Sequence, residues 1–251
     1  MKKSSEIRSF FLLYNKGYPC IYRQIVIFKH MKKIYLFIII TFLSLAHFSQ
    51  GNETGLNFSL LFGKEKLELD KEFYSNSDTL QFQTIRFYVS NVKLYKQNKE
   101  TVLLKKYHLV DLENPTSLFI PFQNENNWDS VSFEIGIDSV TNSNGAMGGD
   151  LDPTNGMYWT WNSGYINVKI EGKSINCGAR KNKFQFHLGG YQSPFATLQK
   201  INTPINNNTI LVDFETLFSN TNLQTTHTIM SPGKNAVDFS HLFSSSFNTT
   251  K

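Results

Sequence analysis

The chain has 251 residues, of which 40% are hydrophobic, and a formal net charge of +5. Residues 1–33 hold eight Lys or Arg and one acid, and subtracting these from the totals leaves 17 bases and 19 acids, a net charge of −2. This balance excludes a polyanion-binding surface that rests on charge, and we expect no nucleic-acid partner.

An apolar run without charged residues occupies positions 34–45, directly after Met31-Lys32-Lys33. It is about a dozen residues long, which is typical of the apolar region of a signal peptide and too short for a membrane span. Small residues at 46, 49 and 51 could permit cleavage. We predict a signal peptide at residues 31–51, a periplasmic or secreted protein and no membrane span after cleavage; a buried core helix is the alternative.

Residues 1–30 precede this complete signal peptide and show no clear periodicity. We interpret them as an N-terminal extension from a start codon assigned too early, or as an unusually long signal-peptide n-region. No lipobox cysteine follows the apolar run, so no lipid anchor is expected. Cys177 is the one cysteine after the signal peptide, which excludes an internal disulfide and predicts a half-buried thiol.

Residues 52–251 are rich in Phe, Tyr, Ile, Val, Thr and Asn, which favours strands. Residues 130–138 alternate strictly and predict one apolar face of Val131, Phe133, Ile135 and Ile137. We expect an all-β fold: a single β-sandwich, immunoglobulin-like or open and barrel-like, with long loops. Strands are predicted at residues 56–62, 84–95, 101–110, 130–138, 165–172, 183–188 and 209–214, with a hairpin across 96–100 and a short helix at 236–243.

Residues 139–156 lack apolar periodicity and are dense in Asn, Gly, Asp and Ser, which predicts a long loop of the kind that often carries function. Oxygen ligands at Asp150, Asp152 and Asn155 make calcium a weak candidate cofactor. Their spacing does not match an EF-hand, and Asp152 before Pro153 favours a turn stabilised by the aspartate side chain.

Two tryptophans, Trp159 and Trp161, lie one residue apart between Tyr158 and Tyr165. If this stretch is extended, both indoles point to the same face. The spacing by itself favours an aromatic cluster that closes the core, and a binding site is the less favoured alternative.

A resemblance to a known protein family favours the binding site instead of the core cluster. Residues 151–165, Leu-Asp-Pro-Thr-Asn-Gly-Met-Tyr-Trp-Thr-Trp-Asn-Ser-Gly-Tyr, resemble the signature of the MbnP-like proteins, with their Trp-x-Trp element. Weaker pieces agree at residues 133–139, 184–190 and 229–233. The resemblance implies an exported β-rich domain at 52–251 that binds copper. It also implies a tryptophan that is oxidised to kynurenine by a diheme, peroxidase-like partner protein.

The candidate copper ligands follow from this resemblance. His187, in Phe-His-Leu-Gly-Gly, matches the family pattern, and His227 lies just before the matched segment at 229–233. Trp159 and Trp161 are the candidates for the kynurenine, with Trp161 placed first. His108 and His241 have no motif support. Imidazole suits copper, whereas an unmodified indole has no ligand atom.

No motif of an enzyme is found: the chain lacks a Gly-x-Ser-x-Gly elbow, a His-Glu-x-x-His pair and a phosphate-binding loop. We therefore expect a copper-binding protein for copper acquisition or handling and no enzymatic activity. The alternative is a structural or ligand-binding β-sandwich of the cell envelope that holds no metal.

Overall fold

The computed structural model describes residues 54–75, 78–97, 99–122, 128–205 and 207–248. The predicted extension at 1–30 and the signal peptide at 31–51 lie outside these residues. In the described ranges no helix is long and apolar enough to cross a membrane. The strands are β1 (Gly55–Phe62), β2 (Glu65–Lys66), β3 (Glu72–Ser75), β4 (Asp78–Lys96), β5 (Lys99–Asp111), β6 (Phe119–Pro121), β7 (Ser130–Ile135), β8 (Tyr158–Trp159), β9 (Gly164–Ser174), β10 (Lys183–Gly189), β11 (Gln199–Pro204), β12 (Thr209–Asp213), β13 (Thr228–Ile229) and β14 (Phe247–Asn248). The helices are α1 (Ser139–Ser143), α2 (Phe214–Ser219) and α3 (Lys234–Ser245).

Two sheets form the domain. The large sheet has the order β11-β7-β4-β9-β10-β13, with β3 and β5 also on β4 and β8 on β9. The small sheet has the order β14-β12-β1-β2, with β6 on β1. The long strand β4 organises the large sheet, because β9 pairs with its first half and β7 with its second half. The predicted all-β, sandwich-like fold is confirmed.

The main core fills the space between the sheets and is dominated by phenylalanine. Phe82 and Phe87 of β4 are fully buried on its inner face, and a β-bulge after Phe82 brings both to the same side. Helix α3 closes this core, with Phe243 packing against Phe87 at 5.5 Å and Phe239 against Phe186 at 4.3 Å between ring centroids. Burying a side chain of this size contributes roughly 1.5–3 kcal/mol each.

A second cluster, which we call the outer core, lies on the opposite face of the large sheet. Tyr88 belongs to it while its neighbours Phe87 and Val89 face the main core, as strand alternation requires. Residues 138–163 cover this face. The outer core consists of Tyr88, Leu109, Ile137, Leu151, Met157, Trp159, Tyr165 and Ile166.

The predicted single face of Val131, Phe133, Ile135 and Ile137 is wrong at its last member. The first three belong to the main core and Ile137 to the outer core. Strand β7 ends at Ile135, and Gly136 adopts a φ of 109°, which breaks the alternation.

The other predicted elements agree with the structure to within a few residues in most cases, and the hairpin between β4 and β5 is confirmed. Strand β4 begins six residues before its predicted start at residue 84, and Phe214 begins α2 instead of ending a strand. The predicted long loop at 139–156 contains α1 and two 3₁₀ turns. Cys177 is buried and not half-buried, because its thiol donates to the Lys183 carbonyl at 3.3 Å.

Candidate metal centre

The Trp-x-Trp element lies in the tight hairpin between β8 and β9, where Trp159 pairs with Gly164. Trp159 is the last residue of β8, whereas Trp161 lies in the turn that follows. Their environments differ sharply, with relative exposures of 6% for Trp159 and 65% for Trp161. The two rings remain neighbours, with centroids 5.5 Å apart and planes inclined by 42°. The indole of Trp159 is therefore part of the outer core, and the indole of Trp161 is exposed to solvent.

The ring of Trp159 packs against Gly189 of strand β10. A Cβ atom on Gly189 would overlap Cζ3 of the Trp159 ring, so only glycine leaves room for the indole there. Gly189 is two residues beyond His187 on the same strand. The fold thus brings the Trp-x-Trp hairpin next to the strand that carries the first candidate ligand.

His187 lies on the outer face of β10, between the buried Phe186 and Leu188, and is itself only 7% exposed. Its Nε2 is 2.6 Å from Oε1 of Glu171, a residue of the neighbouring strand β9. The hydrogen bond from His187 lowers the pKa of Glu171 and outweighs the burial that opposes it. The carboxylate accepts, so Nε2 carries the proton and a neutral ring has Nδ1 as its lone-pair nitrogen.

Nδ1 of His187 has no hydrogen-bond partner among the described residues. Sequence analysis did not identify Glu171. The signal that could have found it is the pairing of two alternating strands, 165–172 and 183–188, which places Glu171 opposite Gln185 and diagonal to His187.

His227 lies directly before β13, the strand that pairs with the strand of His187. Its carbonyl accepts from the Gln185 backbone N at 2.8 Å, and its Nδ1 is 3.1 Å from the Thr228 hydroxyl. The parallel register pairs Gln185 with Thr228. The structure therefore brings His227 next to β10, at the level of Gln185.

The loop acids organise their own turns. Asp152 accepts from the Thr154 backbone N at 2.8 Å and from its hydroxyl at 2.6 Å, and these bonds lower the pKa of Asp152. The Asn155 amide donates to the Gly149 and Asp150 carbonyls. This hydrogen bonding is that of the side-chain-stabilised turn favoured by the sequence.

The candidate donor at this site is the imidazole of His187. In the part of the chain that the structure describes, no three His, Cys, Asp or Glu side chains lie close enough together to hold a metal ion. The available group around β10 is instead one imidazole nitrogen, backed by a carboxylate; the nearby indoles have no ligand atom unless they are modified. Imidazole and soft ligands suit copper, and a carboxylate on the second ring nitrogen is the usual support of a metal-binding histidine.

Comparison with known proteins places the chain in a family. No curated protein matches it significantly. Among solved structures, MbnP from Methylosinus trichosporium is similar at 13% identity over 71% of this chain and 80% of that chain, with a TM-score of 0.45. The family model described as MbnP matches residues 52–231. That match covers well over half of the sequence, and the chain belongs to the MbnP family.

Proposed function

We propose that this protein is an exported, periplasmic or secreted copper-binding protein of the MbnP type, which serves copper acquisition or handling. The observation that carries the proposal is the His187–Glu171 pair beside the Trp-x-Trp hairpin. Glu171 occupies Nε2 of His187 and leaves Nδ1 for a metal. The chain belongs to the MbnP family, and copper is the metal that the resemblance to MbnP-like proteins implies.

Trp161 is the preferred site of oxidation to kynurenine. It is 65% exposed, whereas Trp159 is 6% exposed, so a partner enzyme can reach the Trp161 ring without unfolding the outer core. Ring opening replaces a donor-only indole by an aniline amine and a ketone, both of which can coordinate copper. We assign the oxidation to a diheme, peroxidase-like partner. His187 and Trp161 then act as ligands, with His227 as a further one.

Mass spectrometry of the peptide that spans Trp159 and Trp161, on protein from the native host, tests this proposal when combined with metal analysis. Loss of one carbon and gain of one oxygen at Trp161, with stoichiometric copper, is the expected result. The substitution His187→Gln should abolish most of the copper, while the matched change His241→Gln at an exposed position should not. Unmodified tryptophans and no copper would refute the proposal.

The second candidate is a binding or structural module without a metal. It is favoured by one observation: Trp159 is packed into the outer core and seated on Gly189, as an indole with a purely structural role would be. This module predicts that Trp159→Phe lowers the thermal unfolding temperature and that copper has no effect on it. A rise in unfolding temperature with copper, lost in His187→Gln, would exclude the module.

A further inference from the structure

Met230 directly follows β13, the strand that pairs with the strand of His187. Strands β10 and β13 are parallel and pair Gln185 with Thr228 and Phe186 with Ile229, so the next pair in this register is His187 with Met230. Further along, a Cβ on Gly190 would lie 3.1 Å from Cβ of Pro232, so the chain after β13 still follows β10. These two contacts bracket Met230 alongside His187.

Burial shows which face Met230 takes. Ile229 is buried with Phe186 in the main core, whereas Met230 is 40% exposed. Neighbouring residues of parallel strands point to the same side, and strands lie about 4.8 Å apart. Continued by one residue, this register puts the thioether of Met230 and the imidazole of His187 on the outer face of the sheet.

We propose that Met230 and His187 form a Cu(I) site, Met230 through its sulfur and His187 through Nδ1, with Glu171 as the positioning residue that holds the imidazole. This inference rests on the proposed function, because it assumes that the protein binds copper. A thioether is a soft ligand that selects Cu(I) over Cu(II) and over zinc. The site uses unmodified side chains, so it can be loaded before any tryptophan is oxidised.

Glu171 acts on the site through His187. Its carboxylate also accepts from the Gln185 amide at 3.3 Å, and both bonds orient it on the outer face. Removing such a carboxylate typically weakens metal binding by about 10–100-fold. Glu171→Ala should show a loss of that size, and Glu171→Gln, which keeps an oxygen acceptor for Nε2–H, should recover part of it.

The test is competition of the purified protein with a Cu(I) chelator under reducing conditions, together with X-ray absorption at the copper edge. Met230→Leu should lower Cu(I) affinity by more than about tenfold and remove sulfur from the copper coordination shell. Met147→Leu is the matched control, since Met147 is 44% exposed and Met230 40%. Cys177 is buried and cannot supply the sulfur in the folded protein.

Wild-type Cu(I) affinity in Met230→Leu, combined with a loss in His187→Gln, would overturn this inference and leave the proposed function standing. Binding of Cu(II) without Cu(I) would do the same. Binding of neither ion by the wild-type protein would overturn both.

Discussion

The two faces of the large sheet carry cores that are built in different ways. The main core comes from strand alternation, in which every second residue of β10 is an apolar side chain facing the small sheet, and β4 alternates in the same way except where β-bulges after Phe82 and Ser90 shift the register. The outer core takes five of its eight members from residues 138–163 and the start of β9, where no such alternation exists. A segment without apolar periodicity can therefore still be ordered, provided that buried polar groups hold its backbone in place.

Asn142 shows how this is done. It is 2% exposed, and its side-chain amide donates to the Ile137 carbonyl at 2.9 Å while its oxygen accepts from the Tyr165 backbone N at 2.8 Å. The Tyr165 hydroxyl in turn accepts from the Met147 backbone N at 2.9 Å. A buried polar network stabilises a fold only when each of its groups is hydrogen-bonded. The bonds of Asn142 connect this segment to the large sheet.

The largest effect is expected in the main core. Phe82 is fully buried among aromatic rings of both sheets and α2, so Phe82→Ala should lower the free energy of unfolding by about 3–5 kcal/mol. Chemical denaturation measures this, with Phe195→Ala at a 43% exposed position as the control. A loss near that of the control would mean that the main core is not the principal source of stability.

Met157→Ala probes the outer core in the same way. Met157 is fully buried, but the segment above it has only short elements and can partly collapse, so we expect about 2–3 kcal/mol. Hydrogen exchange at the Ile166 amide, which donates to the Met157 carbonyl at 2.9 Å, distinguishes opening of the outer core alone from opening of both cores. Faster exchange there but not at the β4–β9 ladder would show that the outer core opens by itself. Equal acceleration at both would show one cooperative unit.

Gly136 is the point at which the chain passes from one core to the other. Its φ of 109° and the Asn167 side chain, 2.5 Å from where a Cβ would lie, both oppose any substitution. Gly136→Ala should cost about 1–3 kcal/mol in unfolding free energy. Gly145→Ala separates the two causes, since Gly145 also has a positive φ but has open space at its Cβ position. Equal losses in the two variants would exclude the overlap with Asn167.

The smallest effect concerns pH. Burial lowers the pKa of His108 below 6.5, although its bond to the Ser117 carbonyl and the nearby Asp150 act in the opposite direction. The unfolded chain then binds more protons than the folded protein as the pH falls below about 6.5, so folding stability decreases in that range. His108→Gln should lose less stability than the wild type between about pH 7.5 and about pH 5.5. Urea denaturation at both values tests this, and an equal loss in both proteins would contradict it.

The all-β class, the main strands and the apolar face that becomes the main core follow from local residue patterns. The reason is that alternation is a local property: Val131, Phe133 and Ile135 reach one face whatever lies beyond. The Trp-x-Trp motif and His187 were also visible as patterns of residue types. The short strands β2, β6, β13 and β14 were not, because two or three residues carry no period of their own.

The assembly of the candidate site depends on contacts between strands that are distant in the sequence. Glu171 lies on the strand on one side of His187 and Met230 directly follows the strand on the other side, and strand register cannot be derived from the separate segments. The same holds for the two tryptophans, whose spacing suggested one shared face. A turn after Trp159 buries one indole on Gly189 and exposes the other, and this difference depends on β10 lying beneath the hairpin.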